Sequence, residues 1–221
     1  MVGAGLQNLG NSCFMNATLQ CLAHTPPLAE YMQRRCHSSE CRKSQKQVSS
    51  ASSTDFCAAC CLEHLVNQLF MGNDNSIVPS DFANRLSFFC PGFRLGTQED
   101  AHEFLRGFLG QLTKSFKSSS TTAAVGDETV IQRWFQGWLQ SQVHCMTCGA
   151  ESNTLEPFLD LSIELYAPGG GIFSSLKEAM HCFFIEKEHL AGDNSYCCQA
   201  CGKLSCAEKC SRMSKNATPY S

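Results

Sequence analysis

The sequence predicts an α+β fold, with helices gathered in the first half of the chain and strands in the second. Three observations predict it. Residues 13–23 and 101–112 carry apolar side chains at helical spacing, and residues 159–165 alternate apolar with polar side chains. Two Cys-x-x-Cys pairs fall in the strand-bearing half. A chain of 221 residues can bury a sizeable core in one or two domains, and its 43% hydrophobic content and net charge of −3 are ordinary globular values.

The elements follow in order. Residues 13–23 read as a helix with Phe14, Ala17, Cys21 and Leu22 on one face, ended by Thr25-Pro26-Pro27. Leu28, Tyr31 and Met32 predict a second short helix. Residues 37–55, rich in Ser, Lys and Gln, read as a flexible loop. Asp55 then caps a helix that runs to about Leu69, with Cys57, Cys61, His64, Leu65 and Gln68 on one face and Gly72-Asn73 as its stop. Thr97-Gln98-Glu99-Asp100 resembles a capping box, followed by Ala101, Phe104, Leu105, Phe108, Leu109 and Leu112 in a 3.6-residue period. Residues 115–122 read as a Ser/Thr linker, and residues 128–137 as a helix. Strands are expected at 141–144 and 154–165, a loop at 168–171, and a helix from Ser174 or Ser175. There is no internal repeat.

Charge and hydropathy exclude some function classes. No basic run exceeds Arg34-Arg35 with the scattered Arg42, Lys43 and Lys46, so nothing points to nucleic acid. No apolar stretch approaches a membrane span. Met1-Val2-Gly3-Ala4 leads straight into the first motif and leaves no room for a signal peptide. An intracellular chain, cytoplasmic or nuclear, is therefore expected. Its 16 cysteines are then thiols or metal ligands rather than disulfides, and the Asn16-Ala17-Thr18 and Asn216-Ala217-Thr218 sequons are chance matches.

Cys13 lies where a glycine-bearing loop, Gly5 to Ser12, gives way to the first helix. A thiol there faces the free N–H groups of the helix start, which favour its thiolate. Asn8, five residues upstream, can swing an amide N–H toward the same point. Nucleophile plus oxyanion donor is the front half of a cysteine hydrolase. The stretch Gly5 to Leu22 resembles the Cys box of the ubiquitin-specific proteases, papain-like thiol hydrolases that cut after ubiquitin's last glycine. Ser12 stands where that family has Thr. Gln98-Glu99-Asp100-Ala101-His102-Glu103-Phe104 resembles a second box of the same family. From the residues alone, Asp100 and Glu103 suit the dipole of a first helical turn. The resemblance implies that Gln98 and Asp100 also contact the extended ubiquitin tail. His102 falls at a variable position and reads as a surface histidine.

Cys145-Met146-Thr147-Cys148 and Cys198-Gln199-Ala200-Cys201 are each followed by glycine. Two such pairs are a standard recipe for tetrahedral zinc on four thiolates, a structural site with no open position. Their context resembles the family's fingers. Cys36, Cys41, Cys57 and Cys60, with His37, Cys61 and His64 nearby, form a candidate second cluster. The resemblance runs over about residues 4–209. It implies a papain-like fold with a helical thumb over about 4–114 and a palm and fingers over about 127–209, leaving 210–221 as an unmatched polar tail. The family's remaining palm strands and its catalytic-histidine box have no counterpart here. His24, His37, His64, His102, His144, His181 and His189 all lie outside a matching context. The implied activity is hydrolysis at ubiquitin's C-terminus, with ubiquitin and ubiquitinated proteins as partners. The alternative is a ubiquitin-binding module without turnover. Either way, the strand at 159–165 is expected to expose an apolar face.

Overall fold

The computed structural model describes residues 3–41, 56–73, 75–119 and 128–214. They form two compact units, 1–134 and 135–221.

The first unit is helical. Strand β1 (Gly5–Leu6) leads through a loop into α1 (Cys13–Ala23). α1 buries Phe14, Met15, Leu19 and Leu22, while Ala17 and Cys21, expected on the buried face, are exposed. The larger side chains claim the core stripe and rotate it away from the small ones. α2 (Pro26–Gln33) begins on the two prolines, which need no N–H donor at a helix start and have φ preset for it. The expected loop holds a short α3 (Cys36–Glu40); residues 42–55 lie outside the described residues. α4 (Ala58–Met71) is capped by Cys57, the expected cap Asp55 lying outside the described residues. Its exposed positions include His64 and Gln68. Strand β2 (Ser76–Ile77) pairs in parallel with β1. α5 (Ser80–Ala83) and α6 (Leu86–Phe89) lead to α7 (Ala101–Ser119), which continues past the expected linker start at 115. α8 (Val130–Phe135) follows.

Phenylalanines fill the core of this unit. Phe104 and Phe108 stack at 5.9 Å, and Phe14 and Phe89 meet Phe104 edge-on at 5.8 and 5.9 Å. Such pairs contribute about 0.5–1.5 kcal/mol each beyond the area they bury. This packing seats the start of α1 beside the start of α7, where the Thr18 hydroxyl donates to the Ala101 carbonyl at 3.3 Å.

The second unit is built on a four-stranded antiparallel sheet. β3 (Gly137–Cys145) and β4 (Glu151–Phe158) form a hairpin, followed by α9 (Leu176–Ile185) and β5 (Glu188–Leu190). A 3-10 turn at Gly192–Asn194 precedes β6 (Tyr196–Cys197), β7 (Leu204–Ser205) and β8 (Ala207–Met213). The sheet order is β4-β3-β8-β5, with β6 and β7 paired separately. Residues 210–213, read from sequence as the start of a polar tail, complete β8 in the middle of the sheet. The expected strand at 154–165 ends at Phe158. Among the described residues nothing pairs in a ladder with 159–165, and an extended segment without a ladder partner is not a strand. Leu159 and Leu165 are 42% and 72% exposed. Apolar burial is sparse in this unit: Cys145, Ala179, Leu190, Cys198 and Ala207 are its buried apolar residues among those described.

Candidate active site and metal centres

Cys13 is the first residue of α1, and it is exposed. The loop before it is fixed from several sides. Gln7 N–H donates to the Ile77 carbonyl at 2.9 Å, which anchors the loop to β2. Asn16 Nδ2 donates to the Gln7 carbonyl at 2.9 Å, and Gln20 Nε2 to the Ala4 carbonyl at 3.0 Å. Asn11 adopts φ 51°, a left-handed conformation that Asn tolerates, and its Nδ2 donates to the Gly96 carbonyl at 2.7 Å. Asn8 Oδ1 accepts from Gly10 N, Ser12 N and Ser12 Oγ at 3.0, 3.1 and 3.2 Å. Ser12, 1% exposed, also accepts the Leu9 N–H at 2.9 Å. With the carbonyl end of Asn8 held by these donors, the N–H2 end is the one left to donate elsewhere. No Cys-His-Asp triad geometry is evident around Cys13 among the described residues.

The second motif lies at the start of α7. Asp100 Oδ1 accepts the Glu103 N–H at 2.8 Å, so Asp100 is the helix cap in place of the expected Thr97, whose hydroxyl turns back to the Arg94 carbonyl at 3.1 Å. Asp100 and Gln98 are both exposed. The bond from Asn11 to Gly96 ties this segment to the Cys13 loop. One unit therefore carries Asn8, Cys13, Gln98 and Asp100, on two loops joined by a hydrogen bond.

Two clusters each bring four ligand atoms within 4.8 Å of one another. In the second unit these are the thiols of Cys145, Cys148, Cys198 and Cys201. Both turns have the same build. Gly149 N–H donates to the Cys145 carbonyl at 2.9 Å, and Gly202 N–H to the Cys198 carbonyl at 2.8 Å. The two glycines have φ 73° and 69°, which a side chain would strain. Cys148 and Cys198 Sγ lie 3.7 Å apart, and the Ser205 hydroxyl sits 3.0 Å from Cys145 Sγ. That hydroxyl, with backbone N–H groups, holds the Cys145 thiol down at about 6.

In the first unit the cluster is His37, Cys41, Cys57 and Cys60, all buried. This corrects the expected ligand set: His37 takes the place of Cys36. His37 and Cys41 are four residues apart and share one helical face, whereas Cys36, five from Cys41, is not among the converging groups. That spacing was the overlooked signal. His37 Nε2 is 3.1 Å from Cys57 Sγ, and Cys41 Sγ is 3.9 Å from it. Hydrogen bonds from the Cys60 thiol and the His37 ring hold Cys57 down at about 3, and Cys60, sharing its proton with Cys57, is pushed far up. Four thiols in one cluster, and three thiols with an imidazole in the other, converge at a spacing that fits tetrahedral zinc.

The family model described as "Ubiquitin carboxyl-terminal hydrolase" matches residues 4–212. The chain belongs to the ubiquitin carboxyl-terminal hydrolase family. It is 37% identical over 210 residues to human ubiquitin carboxyl-terminal hydrolase 42, covering 94% of this chain and 15% of that protein. It is likewise 37% identical to ubiquitin carboxyl-terminal hydrolase 25 of Arabidopsis thaliana, covering 93% of this chain and 30% of that one. Among solved structures it matches a SAGA DUB module of Ubp8, Sgf11, Sus1 and Sgf73 bound to monoubiquitin, at TM-score 0.74 and 26% identity. That match takes in 96% of this chain and 47% of the other. The fold of this hydrolase-family chain is thus the mixed α/β papain-like one of the ubiquitin-specific proteases. It spans less than half the length of these relatives.

Proposed function

We propose that the chain acts as a thiol-dependent ubiquitin C-terminal hydrolase with Cys13 as nucleophile. The observation that carries the reading is the Cys13 loop: an exposed thiol at a helix start, beside an asparagine whose carbonyl is tied into the loop. In this reading Cys13 Sγ attacks the carbonyl carbon of ubiquitin's last glycine. The oxygen that becomes anionic accepts an N–H from Asn8 Nδ2. Collapse expels the amine, which takes up a proton, and leaves a thioester that water hydrolyses. Gln98 and Asp100 align the extended tail. Asp100 Oδ1 is engaged as the helix cap, and Oδ2 remains to accept a peptide N–H. Zinc on Cys145, Cys148, Cys198 and Cys201 would fix the knuckles of the second unit and take no part in bond breaking. The partners are ubiquitin and ubiquitinated proteins; a SAGA module relative is solved with monoubiquitin bound. The place of action is intracellular, cytoplasmic or nuclear. Cysteines gathered as metal ligands rather than paired as disulfides support it.

The sequence context of the seven histidines, none of which matches the family's catalytic-histidine box, favours a second reading, a ubiquitin binder without turnover. Hydrolysis of a fluorogenic C-terminal ubiquitin conjugate, with Cys13→Ala alongside, separates the two. Turnover that disappears in Cys13→Ala establishes the hydrolase. Ubiquitin binding that survives Cys13→Ala, with no turnover from the native chain, establishes the binder.

A further inference from the structure

We propose that Glu63 is the positioning residue of the His37, Cys41, Cys57 and Cys60 centre. The proposal rests on that cluster binding a metal. Glu63 is 4% exposed, and a buried carboxylate is costly unless its oxygens are hydrogen-bonded. Its Oε2 accepts the His37 N–H at 3.1 Å and the Ser38 N–H at 3.3 Å. These are donors that α3 cannot satisfy itself. Its own N-cap, Arg35, sits at φ 53° and offers no side-chain acceptor.

Glu63 therefore caps one helix from another. It lies on α4, one turn beyond Cys60, and Cys57 is the N-cap of α4. Two ligands thus come from the start of α4, and two come from α3 and its C-cap, Cys41. Glu63 joins the halves by fixing the backbone of His37, so that the ring Nε2 arrives 3.1 Å from Cys57 Sγ. The next turn of α4 supports Glu63 in its place, since Asn67 Nδ2 donates to the Glu63 carbonyl at 2.8 Å and to the Met32 carbonyl at 3.0 Å. On the other side the His37 ring packs edge-on against Phe116 at 5.0 Å. Glu63 itself is not one of the four ligands. Without it, α3 loses the carboxylate that caps its N-terminus, and the ligands must be gathered by the metal. Groups outside the ligand set that orient ligands in this way are worth about 10–100-fold in metal affinity.

The test uses the whole chain loaded with cobalt(II). The all-cysteine site and the site with one histidine give distinct d–d bands, so each is followed separately while a chelator strips the metal. Glu63→Leu is expected to speed release from the histidine site about 10-fold or more, leaving the all-cysteine site at its native rate. Glu63→Gln keeps an acceptor oxygen without the charge, and is expected to release the same site faster than the native chain but slower than Glu63→Leu. Native release from the histidine site in Glu63→Leu overturns the proposal, as does equal acceleration at both sites. If Glu63→Leu does not fold, Glu63→Gln decides: a native rate at the histidine site overturns the proposal. A native chain that shows the all-cysteine bands alone refutes the metal reading of this cluster, a separate result from the role of Glu63.

Discussion

At the scale of single residues, the Cys13 loop shows how a short sequence can fix one amide. Two backbone N–H groups and the Ser12 hydroxyl converge on Asn8 Oδ1. Flipping Asn8 would set its N–H2 against those donors. Asn8→Ala is expected to slow ubiquitin-conjugate hydrolysis by about a hundredfold or more in kcat, the usual effect of losing an oxyanion donor. Ser12→Ala removes one acceptor for Leu9 N–H and one donor to Asn8. Its expected cost is about tenfold, near the net worth of one hydrogen bond, and Ser12→Thr, which keeps the hydroxyl, is expected to restore the rate. Cys145 gives a pH prediction with a definite sign. The Ser205 hydroxyl stabilises the thiolate and so holds the thiol at about 6. Protons compete with metal for that thiolate, so metal is released as pH falls. Ser205→Ala is expected to move the pH midpoint of zinc release upward, as followed with a zinc-sensitive dye. Placement was legible where local spacing decides it: Cys13 falls at a helix start, and the two Cys-x-x-Cys-Gly turns converge. It was not legible at His37, where the ligand set depended on a short helix that composition had disguised as a loop.

At the scale of elements, helices with a strong apolar period were readable and pairings were not. α1 matches its expected bounds, and α7 buries its expected face, because Phe104, Phe108 and Leu112 repeat along it, although its cap moves from Thr97 to Asp100. α7 continues past residue 115 because Phe116 adds another turn of buried surface at 9% exposure. β8 was invisible because Ala207 to Met213 is polar and short, and only its neighbours β3 and β5 make it a strand. The same logic removes residues 159–165 from the sheet despite their alternation. Phe104 is fully buried against Phe14, Phe89 and Phe108, so Phe104→Ala is expected to destabilise the first unit by about 3–5 kcal/mol in denaturant titration. The second unit has few buried apolar residues, and two of them, Cys145 and Cys198, belong to its metal cluster. Chelation is therefore expected to remove hydrogen-exchange protection from β3 and β8, while the phenylalanine core of the first unit retains it.

At the scale of the whole molecule, the chain combines a helical unit that carries the candidate nucleophile with a sheet unit that carries a four-cysteine centre. The second unit also exposes Leu165, Tyr166, Ile172 and Leu176 at 61–74%. Apolar surface of this kind promotes self-association. Light scattering is expected to show concentration-dependent growth that the double substitution Leu165→Lys with Ile172→Lys reduces. The most direct test of the central claim is intact-mass and peptide mapping after treatment with ubiquitin bearing a C-terminal electrophile. Seven of the sixteen cysteines are ligands of the two clusters, and among the remaining nine the account predicts one ubiquitin per chain, attached at Cys13 and absent in Cys13→Ala. No adduct on the folded, zinc-loaded chain, or an adduct at another cysteine, would contradict it.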